Sequence, residues 1–215
     1  MISHETVMEK ILNHFAGPSF SEEIQLAKKE FFDHMALDQD LSENFELRMN
    51  QFYDWYFFTR KLSNFGQTPL NSCFLVRELR FTEDEIKYID VLKKNTHSLF
   101  EFIKIKDKDV YIKDLLKNQK LVVKSSKILF GFNEDEVFET RLIEVDGQLV
   151  FMKGFCFHPF SVKKIILEEV KKHRKNSDLD PEILMFRLMK MRYKFEQYKH
   201  VSPEKIYQNE SKLTI

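Results

Sequence analysis

A chain of 215 residues with 43% apolar and 32% charged side chains reads as a soluble globular protein with one good core or two small ones, not as a disordered chain. The formal net charge of zero excludes the protein-wide basic excess that nucleic-acid binding favours. Only 5 glycines and 5 prolines point to helices joined by short loops, and the 22 phenylalanines must enter a core or face a partner.

Charge is unevenly spread. Residues 1–60 hold 5 basic and 11 acidic side chains, whereas residues 161–215 hold 13 basic and 8 acidic ones. Acids and apolar residues interrupt the basic end, which favours packing of complementary ends over an anion-binding surface. Cys73 and Cys156 have no second Cys or His at metal-ligand spacing. The N-terminus lacks the apolar stretch of a signal peptide, and no segment reaches the length of a membrane span. The expectation is a cytoplasmic protein with reduced thiols and no membrane association.

In chain order, residues 3–15 predict a helix capped by Ser3, with Met8, Ile11, Leu12 and Phe15 as its apolar stripe. Ser21 is placed as the cap of a second helix with Ile24, Ala27, Phe31 and Met35 inward. A third helix is expected from Ser42 and Glu43, with Phe45, Met49, Phe52 and Tyr56 on one face. Its end, Phe52-Tyr53-Asp54-Trp55-Tyr56-Phe57-Phe58, is aromatic at six of seven positions. Helical spacing assigns this run, Trp55 included, to packing; the other reading is a platform for bases or a partner peptide. Thr68 and Pro69 start a short helix with Leu70, Cys73 and Phe74 inward. Thr82 and Glu85 form a capping box, flanked by Phe81 and Ile86, for a helix over 83–95 that buries Ile86, Ile89 and Leu92.

Strands are expected near 99–106, 109–114, 120–125, 136–145 and 148–154, with tight turns at Asp107-Lys108 and Asp146-Gly147. The strand over 136–145 alternates only in part. Five short strands are too few for a sandwich, so a small SH3-like or OB-like antiparallel barrel is predicted. Helix returns with Val162, Ile165, Ile166 and Glu169. Asp180-Pro181-Glu182 then starts a last helix with Leu184, Leu188, Met191, Phe195 and Tyr198 in one stripe. Residues 203–215 read as a short tail. The fold class is α+β, divided as a helical region over 1–97, the barrel over 98–157, and C-terminal helices over 158–215.

Phe52-x-x-Trp55, Gly66-x-Thr68-Pro69-Leu70, the helix 83–95, Ser98-Leu99-Phe100-Glu101-Phe102, Asp114-Leu115-Leu116 and Arg141-Leu142 follow one another in that order. Over about residues 45–155 this resembles a group of uncharacterised bacterial cytosolic proteins with a helical region followed by a small β-barrel. Some members carry an SEC-C zinc motif. That motif is absent here, so the resemblance implies neither zinc nor a known activity.

No catalytic set is expected. There is no G-x-S-x-G, no phosphate-cradling glycine loop, and no His pair at metal-ligand spacing beside a carboxylate. Cys156 and His158 lie two apart without a visible orienting acid, and His97 at the barrel entrance reads as a capping or core residue. No cofactor or metal is expected. The reading is a non-enzymatic interaction protein that docks another protein through the barrel or an aromatic helical surface. The alternative is RNA or single-stranded nucleic acid held by Lys163, Lys164, Lys171, Lys172, Arg174 and Lys175.

Overall fold

The computed structural model describes residues 2–35, 44–129, 131–133, 136–176 and 180–211. The expected start of the third helix at Ser42 and Glu43 lies outside those residues.

Local signals set the N-terminal helices. Helix α1 (His4–Phe15) is capped by Ser3, whose hydroxyl accepts from the Thr6 amide at 3.2 Å while Thr6 Oγ1 accepts from the Ser3 amide at 2.9 Å. A 3-10 turn over Pro18–Phe20 leads into α2 (Ser21–His34), so Ser21 is its first residue and makes no cap. Helix α3 (Phe45–Phe58) starts after Asn44, which holds a left-handed φ of 61°. Thr68 caps α4 (Pro69–Ser72), and Thr82 with Glu85 forms the expected box on α5 (Glu83–Lys93).

The sheet has β1 (Thr96–Lys106), β2 (Asp109–Asp114), β3 (Gln119–Val123), β4 (Val137–Val145), β5 (Gln148–Phe151) and β6 (Cys156–His158). Its order is β3-β2-β1-β4-β5, wholly antiparallel, with β6 also on β4. The two tight turns are as the sequence implies, with φ of 51° and 74° at Asp107 and Lys108, and 50° and 73° at Asp146 and Gly147. A bulge between Phe102 and Lys104 sharpens the twist of β1. The sheet curls into a half-barrel around Phe100, Phe102, Val110, Ile112, Phe138, Leu142, Phe151 and Phe155. Its outer strands β3 and β5 approach each other without pairing among the described residues.

Three helices close the chain: α6 (Lys163–Lys175), α7 (Pro181–Gln197) and α8 (Pro203–Ser211). The last replaces the expected tail. Pro203 suits a first helical position, and Ile206 and Tyr207 are buried against α6 and α7, which gives so short a helix its stability.

Strand β4 explains its own weak alternation: from Val137 to Ile143 every side chain is buried. Phe138 and Leu142 enter the curl of the sheet, Val137 joins the C-terminal helices, and Ile143 joins the N-terminal core. Glu139 and Arg141 alternate onto the same face as Val137 and Ile143, and so lie between two apolar clusters.

Half of the aromatic run is sealed in the core, and Tyr53, Trp55 and Phe58 are only partly buried. Phe52, Tyr56 and Phe57 are fully buried, and Tyr56 donates its hydroxyl hydrogen to the Phe15 carbonyl at 2.7 Å. Trp55, expected to be buried, is only partly so. Phe45, Phe74, Ile86 and Tyr198 also depart from expectation: all are exposed. Phe74 and Tyr198 lie just past the ends of α4 and α7, and Phe74 meets the Phe81 ring at 5.5 Å and the Lys93 ammonium at 4.9 Å without being sealed by them.

The α5 start therefore has a checkable energetic consequence. Thr82→Ala should cost about 0.5–2 kcal/mol in urea unfolding. Ile89→Ala should cost about 2–5 kcal/mol, and Ile86→Ala far less, because its side chain already meets water.

Candidate functional site

Arg141 projects from β4 into a meeting point of helices and sheet and is 4% exposed. Its Nε donates to Asp54 Oδ2 at 2.7 Å, and its Nη1 to Asn95 Oδ1 at 2.9 Å. Its Nη2 reaches Thr59 Oγ1 at 2.7 Å and Glu182 Oε2 at 3.1 Å. The Phe58 ring lies 4.9 Å from the guanidinium. Glu182 also takes a 2.8 Å contact from His97 Nδ1 on β1. Burial opposes ionisation of Glu182, but the His97 hydrogen bond and the Arg141 charge outweigh it and hold the carboxyl well below its ordinary range.

A cleft of about 190 Å³ opens over this hub, lined by Asp54, Trp55, His97, Arg141, Glu182 and Ile183 among others. Trp55 stacks on Phe186 of α7, with ring centres 5.7 Å apart and planes 8° from parallel. Ile183, at the lip, is 69% exposed. Asp180 stands at the rim and caps α7 by accepting from the Glu182 amide at 2.9 Å. A second cleft of about 460 Å³ lies between α1 and the β5–β6 connection. Asp54 and Gly154 line both. A Cβ at Gly154 would stand 2.7 Å from the Asp54 Cβ, so this close approach requires glycine.

Behind the hub lies a sealed polar cluster. The carboxyl oxygens of Glu139 have no hydrogen-bond partner among the described residues. His158 Nε2 is 3.9 Å from Glu139 Oε2, and His158 Nδ1 meets the Tyr207 hydroxyl at 2.9 Å. Burial, reinforced by Glu182 and Asp54 against the opposing Arg141, pushes the Glu139 carboxyl well up. Burial and then Arg192 push His158 down to about 3. His158 is therefore neutral near pH 7, and the shift of Glu139 likewise favours its neutral form. Cys156 is buried beside them and its thiol is pushed up by that burial, so the Cys156/His158 pair offers no thiolate.

The basic residues singled out from the sequence all lie on α6. Lys163 Nζ pairs with Glu101 at 2.7 Å, and Lys172 Nζ with Glu169 at 2.6 Å. Arg174 donates to the Leu115 and Leu116 carbonyls. Lys164, Lys171 and Lys175 are exposed, and their spacings of seven and four place them on one helix face. None of the six lines the cleft.

The hub itself was not singled out by sequence reasoning. Its signals were Asp54 inside an aromatic run, and Glu139 with Arg141 inside a strand bounded by apolar residues. Each is a charge where local pattern predicts burial.

Residues 5–197 match the model of a family of unknown function, DUF7986, and the chain belongs to that family. No curated protein and no solved structure matches it.

The buried pair sets a pH dependence. The unfolded chain ionises Glu139 above its ordinary value of 4.5 while the folded protein keeps the proton, so stability falls as pH rises. His158 acts in the opposite sense between about 3 and 6.5, where only the unfolded imidazole is protonated. Above 4.5 the two effects oppose each other for as long as the folded protein keeps the Glu139 proton. Glu139→Gln should therefore make stability rise more steeply with pH above 4.5 than in the parent, by up to about 1.4 kcal/mol per pH unit, read from denaturation midpoints at stepped pH.

Proposed function

We propose that this member of DUF7986 is a non-enzymatic, cytoplasmic interaction protein that docks another protein at the Trp55–Ile183 cleft. The observation that carries this reading is an aromatic residue of the α3 run, Trp55, that the core encloses only in part. Trp55 remains partly open on the cleft, stacked on Phe186, beside an Ile183 that is 69% exposed. A fixed aromatic anchor next to an exposed aliphatic residue is the kind of surface that interface hot spots are made from.

The ionisable groups beneath support binding over catalysis. Arg141 already donates to four acceptors, and Glu182 is held by His97, Thr59 and Arg141. Groups locked in this way hold position and are poor proton carriers. Free, buried Cys73 and Cys156 support a reducing compartment, and the resemblance over residues 45–155 supports a bacterial cytosol. Among the described residues, no helix is long and apolar enough to cross a membrane.

The test is a photo-cross-linking amino acid placed at position 183, and separately at position 106 in the distant β1–β2 hairpin, in living cells. One discrete adduct from position 183 alone, lost when Phe186→Glu is added, is the expected result. No adduct, or the same adducts from both positions, would overturn the reading.

A further inference from the structure

Resting on that docking reading, we propose that the cleft takes a basic side chain, Lys or Arg, from the partner. Two carboxylates, Asp54 and Glu182, lie on the floor against the Arg141 guanidinium and the His97 imidazole. Asp180 adds a further acid at the rim.

A second observation points the same way. The Asp54 side chain is 9% exposed, and only its Oδ2 is used by Arg141. Its Oδ1 is buried with no hydrogen-bond partner among the described residues. A lone buried acceptor on an ionised group costs free energy that a donor from a ligand would recover. That oxygen is packed against Gly154, which lines the cleft with it: a Cβ there would come within 3.1 Å of it.

Other ligand chemistries fit less well. An anion would meet Asp54, Glu182 and Asp180, and would have to displace carboxylates that already hold Arg141. A neutral apolar group would match Trp55, Phe186 and Ile183 but leave Oδ1 unpaired. The stem of a Lys or Arg suits that apolar lip while its charged head reaches the carboxylates below. A cleft of about 190 Å³ has room for such a chain.

Trp55 is the only tryptophan, so its fluorescence reports on this cleft alone. The probes are N-acetyl-lysinamide, N-acetyl-argininamide and the neutral N-acetyl-norleucinamide, titrated into the full chain. Saturable quenching by either basic amide, with norleucinamide about tenfold weaker, is expected, since one charge-assisted hydrogen bond separates them. Asp54→Asn should weaken the basic amides by about tenfold while leaving norleucinamide unchanged. Should that variant fail to fold, the comparison of amides on the parent protein still decides, and Asp180→Asn should lower only the basic affinities. Equal binding of norleucinamide, no saturable change, or indifference to Asp54→Asn would overturn the inference. Amides that fail while the position-183 adduct persists leave docking intact and remove the cation. Amides that bind with no adduct remove the protein partner.

Discussion

Arg141 is the constraint on which the rest of the arrangement depends. It is a permanent charge held at 4% exposure, and no burial of apolar surface offsets the cost of removing it from water. Only opposite charge and hydrogen-bond acceptors do so, and they come from α3, from the segments after α3 and α5, and from α7. Residues distant in sequence must therefore converge to within about 3 Å of one guanidinium. Such a network contributes little net stability compared with an apolar replacement, but misplacing any member leaves a charge uncompensated. It fixes where α3 and α7 sit on the sheet, and thereby where Trp55 and Phe186 meet.

The cleft follows from this geometry. Helices held to a polar hub cannot close over it as tightly as helices packed through leucines, and a gap remains above the charges. Asp54 shows the compromise most clearly. One oxygen serves the hub, the other is left without a donor, and the chain opposite must be Gly154 to let the carboxylate stand there. A second polar residue on the same face of β4, Glu139, has no hydrogen-bond partner among the described residues, and burial pushes its carboxyl well up, towards the neutral form.

How far the fold was legible in the sequence depended on whether a signal was local. The Thr82–Glu85 box and the Asp107-Lys108 and Asp146-Gly147 turns are decided by residues within four positions of one another, and all appear as read. The strands near 109–114 and 136–145 were legible for the same reason. What failed was burial decided at a distance. Phe74, Ile86 and Tyr198 satisfy the helical period, yet each stays exposed. Ile206 and Tyr207 looked like a tail because a short helix needs partners that no local pattern announces. The hub was hidden in the same way: Asp54, Arg141 and Glu182 are separated by 87 and 41 residues in the chain, and nothing in the spacing pairs them.

The aromatic run of α3 joins these strands of argument. Period and composition gave it to the core, where Phe52, Tyr56 and Phe57 are sealed. A helix aromatic on every side must be covered on every side, and around α3 the cover is incomplete: Phe45 is exposed, Tyr53 and Phe58 are partly open, and Trp55 opens on the cleft beside α7. Phe186 answers by stacking flat on Trp55, which protects one face of the indole and fixes its orientation. An aromatic ring clamped in this way loses little freedom when a partner arrives, so most of its contact area counts towards affinity. The same buried charge that demands a convergence of distant residues thus leaves one tryptophan stacked, partly bare, and set above paired charges.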